Sequence, residues 1–263
     1  MAQSNENASK WHFNISPYLY LPTFGGDIEF EILNQGQKLE MEVAPGEYLD
    51  KLSFAFMFNA EIKKGKWSVA YDLFAFDILA DAAYVETINI DLENPIPGRP
   101  PLPIGVTIDA GTEFTFDGRQ NTFMLGYNVA SSKWTINLIA GMRWMSIKSQ
   151  LQWSFRGEIN GPDDLIIDQN GSESAGTDLW NAVIGVKGGY IISPKEKWQI
   201  IYYCDLGMGE SKFTLQAIGG LSYKTKKIDY KIAYRHINYS MKEDRVFDNL
   251  YFSGASFGVT IKL

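Results

Sequence analysis

The sequence predicts an all-β fold, a closed antiparallel β-barrel that spans a membrane with about ten strands, roughly 8 to 12. Three observations predict it. The last stretch alternates strictly, an aromatic residue follows each short turn, and the row opposite the apolar row carries charged side chains. Alternate side chains of a strand point to opposite faces, and a sheet in lipid must close because a free edge has no hydrogen-bond partners there. The apolar row of the last stretch comprises Ala255, Phe257, Val259, Ile261 and Leu263.

The composition bounds the class of protein. The chain has 263 residues, a net charge of −7 and a mean hydropathy of −0.16, which suits a membrane barrel because a polar lumen and polar loops dilute its apolar face. No apolar run reaches the about 18 residues of a membrane-spanning helix. The acidic charge excludes nucleic acid as a partner, and the single Cys204 excludes a disulfide framework.

The domain prediction is one barrel over residues 10–263. It is preceded by a flexible mature N-terminus at residues 1–9, which we expect to follow removal of a signal peptide. The first strand begins at Lys10 and runs on through Phe30, with Trp11, Phe13 and Ile15 on one face. Residues 31–50 are acidic and interrupted by glycine and proline, so we expect a long exposed excursion. The alternative is an extra hairpin formed by Asp27–Glu42, and a second one by Ala82–Phe116.

Alternation then predicts the remaining strands in order. Strands are expected from Leu52 to Ile62, from Trp67 past Asp81, from about Ile104 to Val129, from Trp134 to Phe155, and onward from Trp180, Trp198, Phe213, Tyr230 and Tyr251. Four short turns separate them on one rim, at residues 63–66, 131–133, 193–197 and 224–227. The opposite rim carries mostly longer loops, including a proline-rich crown at 95–103 and a polar loop at 157–178.

An aromatic residue recurs at one depth, just after the short turns. Rings with an apolar body and a polar tip collect at the headgroup level of a membrane, so these residues predict an aromatic girdle. The predicted girdle comprises Trp11, Trp67, Trp134, Trp198 and Tyr230. A soluble sandwich or lipocalin-like barrel is the alternative, but its aromatic rows would have to face inward.

The rows opposite the apolar rows contain charges of both signs. In a barrel of about ten strands the interior is narrow, so we expect these side chains to pair across it and to plug it. The predicted lumenal charge network comprises Glu61, Asp72, Arg143, Lys187, Asp205 and Arg235. The alternative is a selectivity ring in a small pore.

Several segments resemble a widespread group of poorly characterised Gram-negative outer-membrane β-barrel proteins. The segments are Trp11–Pro22, Tyr48–Phe54, Lys64–Asp72, Tyr234–His236 and Phe257–Val259. The resemblance implies a bacterial outer-membrane location, short periplasmic turns and longer extracellular loops. It also implies contact with outer-membrane lipid and lipopolysaccharide, and with the barrel-assembly machinery during biogenesis. The terminal Leu263 departs from the phenylalanine that usually ends such chains.

Function is predicted only by class. We expect a structural or surface-interaction barrel or a narrow channel for small solutes, with no catalytic residues, no metal site and no cofactor. The alternatives are an outer-membrane enzyme acting on lipid or peptide and a soluble ligand-binding barrel. The enzyme is disfavoured because His12 is expected near the short-turn rim and His236 in a lipid-facing row, away from any nucleophile. Acids of the 157–178 loop match no calcium-loop spacing, and we expect them to be solvated.

Overall fold

A computed structural model describes residues 10–32, 35–82, 111–159, 165–242 and 247–263. The N-terminal segment 1–9 and the proline-rich crown at 95–103 lie outside the described residues. Within the described residues there are eleven strands and two short helical turns. The strands are β1 (Trp11–Ile32), β2 (Gln35–Val43), β3 (Leu52–Lys64), β4 (Trp67–Ala82), β5 (Gly111–Ser131), β6 (Trp134–Ile159), β7 (Leu165–Ile191), β8 (Trp198–Gly209), β9 (Phe213–Lys224), β10 (Ile228–Ser240) and β11 (Phe247–Lys262). Between β2 and β3 lie helix α1 (Pro45–Tyr48) and a 3-10 turn (Leu49–Lys51).

Ten of these strands form a closed antiparallel barrel. Consecutive strands pair as neighbours from β3 to β11, β1 pairs with β3, and β11 pairs back onto β1 through contacts such as Ile15 with Ile261. The predicted closed barrel of about ten strands is therefore confirmed. The remaining strand, β2, pairs with the second half of β1 and adds no member to the ring.

The four predicted short turns all lie on one rim, as the links between β3 and β4, β5 and β6, β7 and β8, and β9 and β10. Two predictions for the opposite rim were wrong. The polar loop at 157–178 is mostly strand, since β6 and β7 remain paired up to Ile159 and Leu165. The exposed excursion at 31–50 contains β2 and α1, and Tyr48 is buried. β2 pairs with β1 in the extra hairpin that was the alternative for Asp27–Glu42. Loop-like composition misled in both segments because strands beyond the membrane also carry Gly, Ser and Asp.

No helix among the described residues has the length and apolar character needed to cross a membrane.

Candidate functional site

The five predicted girdle residues project outward at the short-turn rim. They are 45% to 57% exposed. Three of them pack against a tyrosine of the neighbouring strand that the sequence did not flag: Trp67 on Tyr127, Trp134 on Tyr190, and Trp198 on Tyr223. The ring centroids are 4.8, 4.5 and 5.0 Å apart, respectively.

Lysines lie at the edge of these rings. Lys64 Nζ is 4.7 Å from the centroid of the Trp11 ring, and Lys66 and Lys197 approach Tyr127 and Tyr223 at 5.9 and 6.0 Å. An aromatic ring with an ammonium just beyond it is the arrangement expected where hydrocarbon gives way to lipid head groups. The short-turn rim thus has the chemistry of one membrane interface.

A second aromatic level lies ten residues farther along β6. Trp144 packs against Trp180 of β7 with ring centroids 6.0 Å apart. Ten residues of a strand tilted by about 40° rise roughly 25 Å, which is the height of the apolar band of outer-membrane barrels. Between the two levels the outward side chains are apolar, for example Leu138, Met142 and Ile184.

Beyond Trp144 and Trp180 the outward face of the strands becomes polar and the inward face becomes apolar. Lys148 and Gln150 point outward on β6 and are exposed, as is Asp178 on β7, while Met145 and Ile147 point inward and are fully buried. Below the tryptophan pair the barrel is apolar outside and charged inside, and above it the barrel is polar outside and apolar inside. A chain in a single solvent has no reason to make this exchange, so it marks the second membrane interface. The protein is a transmembrane β-barrel of the outer-membrane type.

Comparisons with known proteins find similarity at the level of architecture alone. No protein-family model matches the chain, and no curated protein matches it. The outer membrane protease OmpT of Escherichia coli is 9% identical, with 96% of each chain covered and a TM-score of 0.48. Ail of Yersinia pestis, the attachment invasion locus protein, is 8% identical over 97% of this chain and 99% of that chain, with a TM-score of 0.32. The toluene transporter TodX of Pseudomonas putida is 8% identical over 96% and 89%, with a TM-score of 0.35. These values are too low to carry a functional inference.

All six residues of the predicted charge network point into the lumen, where they form three ion pairs. Arg143 of β6 pairs with Asp205 of β8, and neither side chain is exposed. Arg235 of β10 donates to Asp72 of β4 at 2.9 Å. Lys187 of β7 donates to Glu61 of β3 at 2.6 Å, nearer the short-turn rim.

Polar side chains join the two arginine pairs into one layer. Arg143 donates to Thr214 Oγ1 at 3.2 Å, and Arg235 donates to Gln216 Oε1 at 3.1 Å. Gln120 bridges the layer, since it donates to Gln216 at 3.2 Å and accepts from the Tyr239 hydroxyl at 2.9 Å. These neutral partners were not predicted from the sequence, because their contacts cross the lumen between strands that are distant in the chain.

Tyr18 completes the layer on the β1 side. Its hydroxyl accepts from Arg235 at 2.8 Å and donates to Asp72 at 3.2 Å. The layer therefore draws inward side chains from β1, β4, β5, β6, β8, β9 and β10. Arg143, Gln120, Thr122, Thr214, Asp205, Arg235 and Gln216 are each exposed by 3% or less. These seven side chains are thus almost completely withdrawn from solvent.

The layer is not fully satisfied. Among the described residues, Asp205 Oδ1, Arg235 Nε and Asn181 Nδ2 have no hydrogen-bond partner. Unpaired buried polar atoms carry a desolvation cost, and a buried ion pair does not by itself stabilise a fold. The ion pairs of the layer are therefore no measure of how stable the barrel is.

A cluster of apolar side chains fills the lumen on the far side of this layer, and it was not predicted. Phe24, Phe74, Phe76, Phe116 and Phe252 are its rings, with neighbouring centroids 5.0 to 6.4 Å apart. Their side chains are 5% exposed or less. The exchange of faces after Trp144 is the signal that could have found this cluster.

The short-turn mouth of the lumen is basic. Lys63 and Lys187 share the carboxylate of Glu61, at 2.8 and 2.6 Å, and Lys262 Nζ lies 2.6 Å from Asp229. Inward positions beside them are small, such as Ser68 and Ser222.

The histidines provide one correction. His12 lies at the short-turn rim beside Lys63, as expected. His236 was expected to have no nucleophile nearby, but its Nδ1 lies 2.5 Å from Ser253 Oγ on β11. This pair contacts no carboxylate in the described part of the chain. The backbone of Ser253 is also held in ladders on both sides, which leaves no free N–H groups for an oxyanion hole. The contact is a cross-strand hydrogen bond.

Most acids of the 157–178 segment have side chains that the structure does not describe, among them Asp168 and Glu173. Asp163 and Asp164 lie outside the described residues. Within the described ranges, no group of three or more His, Cys, Asp or Glu side chains could hold a metal ion.

Proposed function

We propose that the protein is a non-catalytic barrel of the Gram-negative outer membrane whose lumen is closed, and that its working part is the outer extension. The outer extension is the barrel beyond Trp144 and Trp180, chiefly Met145–Ile159 of β6 and Leu165–Leu179 of β7. This part of β6 rises roughly 35–40 Å above the second membrane interface. A long paired extension beyond the membrane, with exposed Lys148, Gln150 and Asp178 at its base, suits the surface-interaction role predicted from the sequence.

The burial of Arg143 and Asp205 carries the proposal. Both side chains are inaccessible, and the inward residues of the flanking strands at this depth are buried as well. A porin-like pathway needs a continuous polar channel, and this layer interrupts it. The apolar cluster beyond the layer would also repel hydrated solutes. Both observations favour a closed anchor over the small-solute channel, which is the second candidate.

Planar-bilayer conductance of the full chain tests the closed lumen. We expect no steady openings, and we expect infrequent openings in the Arg143→Ala and Asp205→Ala double variant, which removes both large side chains of one pair. The control is Asp117→Ala with Arg119→Ala, an ion pair on the outer extension with exposed side chains. Steady openings of the wild type would overturn the closed lumen and favour the channel.

Shortening the outer extension tests the surface role. Replacing residues 150–174 by Asn-Gly joins β6 to β7 through a tight hairpin, where Ser149 pairs with Ala175. We expect the variant to insert and to migrate as a folded, heat-modifiable barrel. We also expect cells that display it to lose attachment to surfaces coated with collagen, fibronectin or lipopolysaccharide. Equal attachment by wild-type and shortened chains on every coating would exclude the surface role.

A further inference from the structure

The wall of the barrel is interrupted at one place, between β1 and β3. The ladder between these strands runs from Trp11 opposite Lys64 to Pro17 opposite Phe58 and then stops. β1 next pairs on this side with β2, beginning at Phe24 opposite Val43. Residues 18–23 of β1 and 52–57 of β3, all within the described ranges, face each other with no ladder pairs. We name this interruption the seam.

The other edge of β1 is continuous over the same stretch. Tyr18 to Gly25 pair one by one with Gly258 to Tyr251 of β11. The seam is therefore a local separation of two strands and not a frayed end of β1. By residue count from the girdle the seam spans the second membrane interface, and outward Leu19 and Phe56 on its membrane side are about half exposed.

Side chains satisfy the backbone of the seam in place of a ladder. Pro22 has no N–H to donate, and its carbonyl accepts from the Tyr48 hydroxyl at 2.8 Å. The Tyr20 N–H donates to Met57 Sδ at 3.1 Å. Open sheet edges are not tolerated in hydrocarbon unless their polar groups are satisfied, and here one phenol and one thioether satisfy two of them. Because a thioether is a weak acceptor, this closure is easier to open than a ladder.

The seam connects two apolar environments. On its inner side the Tyr48 ring lies 5.5 Å from Phe24, which belongs to the aromatic cluster of the lumen. A small cavity of about 10 Å³ lies at the seam, lined by outward Leu21, by Ala55 and Met57, and by inward Phe76. No charged side chain lines it. The arginine layer, which contains Asp72 and Arg235, lies on the side of the cluster that faces the membrane centre.

We propose that the seam is a lateral portal, and that a small neutral apolar molecule passes through it between the outer leaflet and the aromatic cluster. The absence of charge from the lining excludes ions and hydrated solutes as occupants. The narrow closure selects molecules with the cross-section of a single ring or chain. Tyr48 is the gate, since it fills the gap and belongs to α1, a separate short element. This proposal does not depend on what the outer extension binds.

Photolabelling of the full chain in proteoliposomes tests the portal. The probe is 5-iodonaphthyl-1-azide, which partitions into bilayers and reacts on illumination, and labelled residues are mapped by mass spectrometry. Label on outward Phe56 is the positive control. We expect label also on inward Phe76 and Phe116, and several-fold more of it in Tyr48→Ala. Tyr127→Ala, which removes a girdle ring elsewhere, is the matched control and leaves inward labelling unchanged.

A disulfide lock makes the test specific for the seam. In a Cys204→Ser background, Leu19→Cys and Phe56→Cys occupy positions that would face each other if the β1–β3 register continued. Oxidation should abolish inward labelling, and reduction should restore it. Ile62→Cys with Val69→Cys locks a ladder that is already continuous and should change nothing. The portal is refuted if inward residues are unlabelled in both wild type and Tyr48→Ala, or if the oxidised lock labels like the wild type.

Discussion

Arg143 and Met145 point into the barrel from the same strand, two residues apart, and each is completely buried in a different environment. Arg143 lies in the polar layer, with Asp205 as its ion-pair partner. Met145 belongs to the apolar cluster that fills the outer half of the lumen. Outside the barrel, Trp144 between them marks the level at which hydrocarbon gives way to water.

The Arg143–Asp205 pair predicts a strong asymmetry between single and double variants. We expect Asp205→Asn or Arg143→Met to lower the free energy of unfolding by about 3–5 kcal/mol, because each leaves a buried partner unpaired. The double variant should cost less than the sum of the two. Urea unfolding in lipid vesicles, followed by tryptophan fluorescence, measures both. Asp117→Asn is the control: its partner Arg119 is exposed, so we expect a change of less than about 1 kcal/mol.

The depth of the membrane predicts where a charge is tolerated on the outer surface. Leu138→Arg introduces a cation near the middle of the apolar band and should cost about 2–4 kcal/mol, whereas Gln150→Arg, beyond Trp144, should cost less than about 1 kcal/mol. Both positions are exposed on β6, so the comparison isolates depth. The same vesicle unfolding experiment measures the difference. Equal costs at the two sites would contradict the second interface.

Two glycines predict opposite outcomes for one added methyl group. A Cβ on Gly141 would lie 1.8 Å from the Phe123 carbonyl oxygen, so the β5–β6 ladder must shift. We expect Gly141→Ala to cost about 1–3 kcal/mol and to slow the appearance of the heat-modifiable band on unboiled gels. Gly219 has no atom within 4 Å of an added Cβ, and Gly219→Ala should behave as the wild type.

The Tyr48 phenol predicts a pH dependence. Tyr48 belongs to α1, outside the strands that span the membrane, and burial raises its pKa to about 12. The folded state thus holds a proton that the unfolded chain releases near pH 10. The protonated Tyr48 phenol makes its full contribution to the free energy of unfolding below pH 10. That contribution is lost as the pH rises towards 12, by an amount on the order of 2 kcal/mol. Unfolding of wild type and Tyr48→Phe across pH 9–12 measures it, and parallel curves would contradict the assignment.

The orientation of the strands could be predicted from the sequence because it depends only on alternation. The apolar rows and the inward charges alternate with a period of two along the strands, and the ladders follow that period apart from register shifts at Asp27/Ile28, Leu52/Phe54 and Asn128/Ala130. The pairing of Arg143 with Asp205 and of Arg235 with Asp72 could not be predicted, since it depends on the stagger of the closed barrel. Local sequence carries no record of that stagger.

The aromatic cluster and the seam were missed for different reasons. Phe74 and Phe76 occupy the same inward row as Asp72, so a single rule for the whole strand assigned them a polar surrounding. A strand that leaves the hydrocarbon and enters water exchanges its polar and apolar faces. One assignment of the inward face as polar therefore cannot hold along the whole strand. The seam depends on Tyr48, which came from a segment read as an exposed loop, and on a carbonyl 26 residues away.

The exchange of faces at Trp144 also limits how the barrel can sit in lipid. Sinking by a few residues would carry Lys148 into hydrocarbon, and rising would lift Met142 into water. Ordinary membrane spans relieve hydrophobic mismatch by tilting, but here both ends of the apolar band are marked on the same strands. A bilayer whose hydrocarbon core is thicker or thinner than this apolar band must deform around the protein. The height of the band therefore fits the barrel to one membrane thickness.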